Sequence, residues 1–265
     1  MDRLELVADC GSCFGLCCVA LAFERSADFP VDKDAGEPCV NLDDAFGCSI
    51  HADLRSEGYR GCTVYDCFGA GQQVSQTTYG GVSWREAPGT SAGMFAALPV
   101  MRQLHEMLWY LTESIERDDA RSLRAELAAL TERTRAITGL DADGLAGVDL
   151  PAHRAIVGPL LQRTSELVRA SHRGPDHQGA QLLGARLRRA DLRGANLRGA
   201  LLIAADLRQA DLRTSDLLGT DLRDARLEGA DLTDCLFLTQ SQVGSARGDV
   251  ATLIPSALRR PVHWR

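Results

Sequence analysis

The strongest constraint on the fold is a five-residue repeat near the C-terminal end of the sequence. From residue 179 the chain reads GAQLL GARLR RADLR GANLR GALLI AADLR QADLR TSDLL GTDLR DARLE GADLT DCLFL, which is twelve consecutive units. An α-helix has about 3.6 residues per turn, so leucines five apart would rotate by about 140° at each step and would never share one face. The period also differs from the two-residue alternation of a strand. The repeat therefore excludes an amphipathic helix and an ordinary strand.

This repeat resembles the pentapeptide-repeat family, whose motif is A(D/N)LXX. The resemblance implies a right-handed quadrilateral β-helix, a solenoid of about three coils over residues 178–240, in which each unit forms one side of a coil. Residues twenty apart would then stack, with leucines filling the interior. Cys235 would stack on Ser215 and Ala195, which makes it a packing residue. The expected interior columns are Leu182/Leu202/Leu222, Leu187/Leu207/Leu227, Leu192/Leu212/Leu232 and Leu197/Leu217/Phe237.

The outward positions of the repeat divide into charged and apolar sides. Two sides carry mixed charge, whereas the other two carry Leu183, Leu201, Ile203, Leu218, Leu236 and Leu238. Contiguous apolar patches are normally covered. We expect the middle segment of the chain to pack there, although an external protein or peptide partner, or a second copy of the chain in a homodimer, would leave the same pattern.

A helical domain is predicted over residues 91–171. Residues 99–117 begin with Pro99 and show apolar residues at helical spacing, and residues 119–138 repeat the pattern before Gly139. A third helix is predicted to begin at Pro159. Residues 171–178 are interpreted as a linker, and residues 241–265 as a C-terminal cap.

Eight cysteines lie in the predicted N-terminal domain, residues 1–90. Their pattern is Cys10-x2-Cys13-x3-Cys17-Cys18, then Cys39, Cys48 followed by His51, and Cys62-x4-Cys67. The opening MDRLELVADC is not a secretory signal and no stretch reaches membrane-spanning length, which indicates a cytoplasmic protein. In a reducing compartment, clustered cysteines indicate metal ligands rather than disulfides. Eight thiols could fill two tetrahedral sites, and adjacent Cys17 and Cys18 are expected to point apart and to serve different ions, unless one of them bridges two.

The cysteine pattern is similar to the CxxCxxxCC family of zinc- or iron-chelating domains. The resemblance implies bound zinc or iron, including iron–sulfur centres, with two or more ions. Where the family commonly has an aromatic residue and an Arg-Pro pair, this chain has His51, which is either an extra ligand or a polar replacement. Residues 1–90 are interpreted as having few aromatics and little secondary-structure periodicity. We therefore expect metal binding to supply the folding energy of this domain, on the order of 10 kcal/mol per structural zinc.

Histidine offers one further candidate ligand. His105 and Glu106 do not form an HExxH zinc motif, because Trp109 stands where the second histidine would be. His105 is therefore either a core residue or a ligand near the metal domain.

Three functions are compatible with these patterns. The first is a metal-binding scaffold or interaction module. The second is a metalloenzyme that uses the cysteine cluster for redox or hydrolytic chemistry. The third is implied by the resemblance to the pentapeptide-repeat family, some of whose members mimic DNA and bind gyrase. Residues 178–240, however, hold nine Arg against nine Asp and Glu, so this neutral segment does not imitate a duplex. A nucleic-acid partner is not expected. Except for Lys33, the basic residues are all arginine, which indicates a GC-rich bacterial genome.

Overall fold

The computed structural model of the protein describes residues 6–172 and 174–264, and the chain folds into two units. One unit comprises the residues up to Glu116 together with Leu123–Leu161. The other comprises Arg117–Ser122 and the chain from Gln162 onwards. Each unit therefore combines segments that are separated in sequence.

Helices supply the regular structure of the first unit. The α-helices are α1 (Leu16–Ala20), α2 (Arg60–Thr63), α3 (Ala70–Gln72), α4 (Ser91–Glu116), α5 (Arg124–Thr138), α6 (Ala142–Ala146) and α7 (Leu150–Arg169), the last of which continues into the second unit. Short 3-10 turns cover Cys10–Ser12, Pro88–Thr90 and Asp118–Leu123, and a π-helical turn covers Gln73–Thr78. Among the described residues, none of the helices combines the length and the apolar character needed to cross a bilayer.

Two predicted helix starts are wrong. α4 begins at Ser91 rather than at residue 99, and α7 begins at Leu150 rather than at residue 159, so that Pro99 and Pro159 both lie inside helices. Proline removes one backbone N–H from the helix ladder. In α4 the additional turns bury Met94, Ala97 and Leu98, and this burial offsets the lost hydrogen bond. Gly139 does cap α5, with an ordinary right-handed φ of −89°.

The cysteine-rich segment shares its core with α4. Ring contacts run from Phe14 to Phe46 (5.3 Å between centroids), from Phe46 to Trp84 (5.7 Å) and from Trp84 to Phe95 in α4 (5.8 Å). α1 and α3 also contact α4. The expectation of few aromatics in this segment is wrong, because nine of the aromatic residues fall within residues 1–90.

In the second unit, the five-residue units form a repeat stack, residues 176–238. Isolated parallel bridges join residues twenty positions apart, for example Gln181 with Leu201 and Leu201 with Asp221. Leu182 donates its N–H to the carbonyl of Leu201 at 2.9 Å, and the N–H of Leu201 bonds the carbonyl of Ala180 at 2.9 Å. The twenty-residue register of the repeats is therefore present in the backbone hydrogen bonds.

The predicted right-handed quadrilateral β-helix is wrong as a fold class. The described residues contain no β-strand, and the repeats are joined only by isolated bridges, while the regular elements are helices. The cause is the length of each side. A two-residue turn begins two positions after each bridging residue, so no two consecutive residues pair into a ladder.

The interior of the repeat stack is filled as the period requires. From Leu192 to Phe237, each residue at the fourth place of a unit is at most 3% exposed. Leu182 and Leu187, in the first units, are only half-buried. The small residues at the second place are buried from Ala195 onwards, and Cys235 is 1% exposed among them. The stack is therefore closed around its leucines except at its N-terminal end.

The first residue of each of the twelve units adopts a left-handed backbone. Six of these residues are glycines with φ between 62° and 68°, and six are non-glycine residues with φ between 54° and 59°. Glycine takes this conformation without strain. The turn between sides thus explains why glycine recurs at the first place. The non-glycine residues there are Arg189, Ala204, Gln209, Thr214, Asp224 and Asp234.

The chain after the repeats covers the end of the stack. Helix α8 (Gln240–Ser245) begins with a capping box between Thr239 and Gln242. The Gln242 side-chain amide donates to the carbonyls of Leu217 and Thr220, both at 2.8 Å. Arg247 then forms a bridge with Arg226. These bonds satisfy backbone groups that the last coil would otherwise leave open.

Coverage of the predicted apolar sides is uneven. Leu236 and Leu238 are buried, whereas Leu183 is 56% exposed. The segments Arg117–Ser122 and Gln162–Arg169 belong to the same unit as the repeats. Within it, the Arg117 guanidinium donates to the Cys235 carbonyl at 2.8 Å.

Candidate functional site

The cysteine thiols are the candidate site. All nine cysteines are free, so the disulfide alternative is absent. Cys10 and Cys62 are exposed, and the other six cysteines of the N-terminal segment are half-buried. Cys235 lies in the repeat stack and belongs to the other unit.

Hydrogen bonds from residues 72–84 hold the first cysteine loop in place. The backbone N–H of Asp9 bonds the side-chain oxygen of Gln72 at 3.1 Å, and the N–H of Phe14 bonds the hydroxyl of Ser75 at 3.0 Å. The indole N–H of Trp84 donates to the Phe14 carbonyl at 2.9 Å. Ser75 belongs to the π-helical turn, an element often found at functional sites. Long-range polar contacts therefore position Cys10 and Cys13.

Helix α1 presents Cys17 and Cys18 together. Gly15 precedes the helix with φ 64°, and a side chain there would lie 2.6 Å from a methyl carbon of Leu42. The Sγ atoms of Cys17 and Cys18 are 3.9 Å apart, so the expectation that these adjacent thiols point apart is wrong. Two thiolates bound to one tetrahedral zinc at about 2.3 Å would be separated by ~3.8 Å. One ion could therefore accept both sulfurs.

Backbone contacts bring later cysteines to the same region. The N–H of Cys39 bonds the carbonyl of Cys18 at 2.9 Å, and Cys48 forms an antiparallel bridge with Leu42. A Cβ atom built on Gly71 would lie 2.7 Å from the Sγ of Cys13. Because Gly71 has no side chain, the Cys13 thiol can pack directly against α3.

Cys17 lies at the electrostatic centre of the cluster. A thiolate at Cys17 would raise the pKa of Cys10, Cys13, Cys62 and Cys67. The remaining members are connected too, since Cys17 bonds Cys18, and Cys39 and Cys48 act on Cys62. The eight free cysteines of this segment are called the thiol centre below: Cys10, Cys13, Cys17, Cys18, Cys39, Cys48, Cys62 and Cys67.

Most of these thiols are protonated at neutral pH in the metal-free protein. Burial, followed by neighbouring thiolates, raises the pKa of Cys10 and raises the pKa of Cys62 to about 11. The hydrogen bond from Cys18, with burial, raises the pKa of Cys17 further. A cation entering the thiol centre must therefore displace protons.

The donor chemistry fits a soft cation, but a ready-made ligand set is not formed. Among the residues that the structure describes, no group of three or more His, Cys, Asp and Glu side chains lies at metal-binding geometry. Metal binding would therefore require the sulfurs to move closer together. His51 is exposed, and its backbone N–H bonds the Cys48 carbonyl at 3.2 Å. Its role as a ligand remains a prediction.

His105 is a buried helix residue beside the cysteine segment. It is 1% exposed, and its Nδ1 lies 2.7 Å from the carbonyl of Phe68, the residue after Cys67. This contact orients the chain next to a thiol and occupies one ring nitrogen. His105 therefore fits the interpretation as a core residue better than that as a ligand.

Sequence patterns did not identify several residues around the thiol centre. The hydroxyl of Tyr65 is buried without a hydrogen-bond partner in the described part of the chain. Burial, and then the thiolates of Cys67 and Cys17, raise the pKa of this phenol. Lys33 is also buried near Cys18 and Cys39. The one sequence signal that could have identified Lys33 is that it is the only lysine of the chain.

Comparison with known proteins supports the repeat assignment. The family model of pentapeptide repeats matches residues 165–203 and 200–237, in eight copies. The uncharacterized protein YybG of Bacillus subtilis (strain 168) is 54% identical over 266 residues, which covers 98% of this chain and 95% of YybG. A pentapeptide repeat protein of the Arabidopsis thaliana thylakoid lumen, known from its crystal structure, is 28% identical. That match covers 35% of this chain and 63% of the plant protein, with a TM-score of 0.17.

Proposed function

Since the chain is a pentapeptide-repeat protein of the same family as Bacillus subtilis YybG, we propose that it is a metal-binding scaffold. In this proposal the thiol centre binds zinc or iron, including an iron–sulfur cluster, and the repeat stack serves as an interaction surface. The N-terminal segment would then be a CxxCxxxCC-type chelating domain. The protein would work in the cytoplasm, where thiols stay reduced.

The observation that carries the proposal is that, among eight free cysteines of one segment, α1 places two thiols 3.9 Å apart and the backbone N–H of Cys39 bonds the Cys18 carbonyl. Thiols that are buried together raise one another's pKa, which is unfavourable for the metal-free protein at high pH. A divalent cation or cluster would relieve this repulsion by binding thiolates. The 3.9 Å separation of the Cys17 and Cys18 sulfurs suits two ligands of one ion.

The protein's own residues would hold and orient the metal. The anchored loop of residues 9–14 would supply Cys10 and Cys13, and α1 would supply Cys17 and Cys18. When bound, the metal would cross-link these elements to the loops that carry Cys39, Cys48, Cys62 and Cys67. Its contribution would be structural stabilisation of a surface loop cluster.

The metalloenzyme alternative has less support. Catalytic metal sites keep an open position beside a substrate cavity. A cavity of about 340 Å³ in the first unit is lined by residues of α5, α6, α7 and their connections, among them Arg133 and His153, and includes none of the eight thiols. A scaffold role therefore fits the thiol centre better than catalysis.

A protein or peptide is the partner class that we propose for the repeat stack. On the charged side of the repeat stack, opposite charges are paired, since Arg213 bonds Asp211 at 2.5 Å and lies 3.7 Å from Asp231. Arg193 continues the same ladder with Asp191 and Asp211. A surface with its charges paired offers little net attraction to nucleic acid. A second copy of the chain is one partner of this class.

Metal content tests the proposal. We expect anaerobically purified protein to carry bound zinc or iron, with visible absorbance if iron–sulfur is present, and to take up about two Co²⁺ ions with thiolate charge-transfer bands when reconstituted. Cys17→Ser should lose at least one ion. The matched control is Cys235→Ala, because Cys235 lies outside the thiol centre at a position where most repeats have alanine. Uptake of less than one ion by the wild-type protein would refute the proposal.

A further inference from the structure

Lys33 is a buried cation held in a defined position. It is 7% exposed and is the only lysine of the chain. Its Nζ donates to the carbonyls of Glu37 at 2.8 Å, Asp34 at 2.9 Å and Val19 at 3.2 Å. The ammonium also lies 5.6 Å from the ring centroid of Phe23. All three of its protons are therefore directed at backbone carbonyls.

The three carbonyls belong to segments that carry cysteines. Val19 directly follows Cys17 and Cys18 in α1, and the Glu37 carbonyl lies two residues before Cys39. The ammonium therefore links the end of α1 to the loop of Cys39. Backbone hydrogen bonds tie the same segments together, from Gly36 to Val19 and from Cys39 to Cys18, both at 2.9 Å.

The anions that act on Lys33 are mainly thiolates. Burial lowers the pKa of the Lys33 ammonium, whereas Cys39 and then Cys18, once deprotonated, would raise it, ahead of the carboxylates of Glu37 and Asp34. A buried charge needs a compensating charge or polar partners. The carbonyls supply dipoles, and the thiol centre would supply the negative charge once metal binding deprotonates its sulfurs.

The residue type also fits this role. The chain uses arginine for every other basic residue, so lysine stands only at this position. A compact ammonium can direct three donors at three converging carbonyls, whereas a planar guanidinium spreads five donors in one plane. The exception to the arginine bias therefore falls where the site geometry favours an ammonium.

We propose that Lys33 is the fixed counter-cation of the thiol centre, a positioning residue that joins α1 to the Cys39 loop and stabilises the anionic, metal-bound form. This inference rests on the metal-binding function proposed above. A zinc ion with four thiolates carries a net charge of −2, so a nearby ammonium favours the bound state. The three backbone carbonyls that bind the ammonium hold this positive charge in place before metal binds.

The single lysine allows a direct test in the unaltered protein. In protein labelled with ¹⁵N-lysine, the side chain gives one ammonium signal. We expect Zn²⁺ loading to shift that signal and to slow its proton exchange with solvent. A signal that stays unchanged while Zn²⁺ binds would overturn the role of Lys33 without affecting the proposed function. If the wild-type protein binds no Zn²⁺, both proposals fail.

Substitutions separate charge from structure. We expect Lys33→Met to weaken Co²⁺ affinity by about 10- to 100-fold, the usual cost of losing a residue that supports a metal ligand. Lys33→Arg should recover part of that loss because it keeps the charge. The matched control is Arg25→Met, which removes an exposed cation from the same segment and should leave affinity unchanged. Equal affinities for Lys33→Met and the wild-type protein, or equal losses for Lys33→Met and Lys33→Arg, would overturn the proposal.

Discussion

Replacing Gly71 with alanine should disturb the thiol centre through one contact. Gly71 is buried in α3, and a Cβ there would lie 2.7 Å from the Cys13 Sγ and 3.5 Å from the Cys13 Cβ. Optimal separations of non-bonded heavy atoms are ~3.5–4.0 Å, so the thiol would have to move by roughly 1 Å. The loop that carries Cys13 is held at Phe14 by two hydrogen bonds, which resist this shift.

Two opposing effects set the size of the stability change. Alanine is favoured over glycine inside a helix by about 1 kcal/mol, whereas overpacking a buried site costs about 1–3 kcal/mol. Gly158→Ala is the matched control, because Gly158 lies in α7 with no atom within 4 Å of the added Cβ. That control should be stabilised by up to ~1 kcal/mol. The two variants should therefore differ in free energy of unfolding by about 1–3 kcal/mol.

Metal binding gives the second measurement for this pair. A ligand atom must reach its metal within about 0.2 Å of the ideal distance, so a displaced Cys13 thiol should weaken Co²⁺ affinity by about tenfold or more. Urea denaturation of the metal-free proteins and Co²⁺ titration provide the two readouts. If Gly71→Ala matches Gly158→Ala in both stability and affinity, Cys13 does not occupy the position described here or is not a ligand.

Two further predictions concern the repeat stack and the metal-free thiols. Leu207→Ala should lower the free energy of unfolding by about 2–5 kcal/mol because Leu207 is fully buried. Leu183→Ala should change it by less than about 0.5 kcal/mol because that side chain is 56% exposed. If urea denaturation showed an equal loss of unfolding free energy in both variants, the burial of Leu207 inside the repeat stack would be contradicted. Although Cys62 is partly exposed, desolvation of its thiol raises the pKa of Cys62 to about 11, above the ~8.5 of an unfolded thiol. Its contribution to metal-free stability should therefore be complete below pH ~8.5 and disappear as pH rises to about 11. Alkylation of Cys62 at increasing pH, read by mass spectrometry, should show that midpoint, whereas a midpoint near 8.5 would contradict the desolvation.

The repeat register was predictable from the resemblance to pentapeptide-repeat proteins, because the five-residue period gives the spacing of the leucines and the resemblance implies that residues twenty apart are neighbours. The bridges do join residues twenty apart. The absence of strands was not predictable from the period. It depends on how many consecutive residues pair between turns, and each side is too short for a second pair.

Helix starts were misplaced for a similar reason. Proline is favoured in the first turn of a helix, so the sequence suggested starts at Pro99 and Pro159. Tertiary packing decided otherwise, because residues before both prolines bury apolar side chains, such as Leu98 and Val157. At both sites, the burial of apolar side chains therefore determined where the helix begins, and local helix propensity did not.

The sequence indicates candidate thiol ligands, but it does not reveal the residues that hold them in place. Close spacing of Cys10, Cys13, Cys17 and Cys18 is a local signal. The hydrogen bonds that hold this segment come from Gln72 and beyond, about sixty residues later, and short-range patterns do not reveal such partners.

The structure changes the energetic role expected of the metal. A domain ordered by metal alone would lack an apolar core, but α1 buries Leu16 and Val19, and both α1 and α3 contact α4. Two fully buried aliphatic side chains already contribute about 3–6 kcal/mol. Because this packing and the bonds from Ser75 and Trp84 help to position the thiol loops, metal binding would not have to supply the whole folding energy. Removal of the metal should therefore loosen the thiol loops while α4 and α5 remain helical, since the buried stripe of α4 does not depend on sulfur ligation.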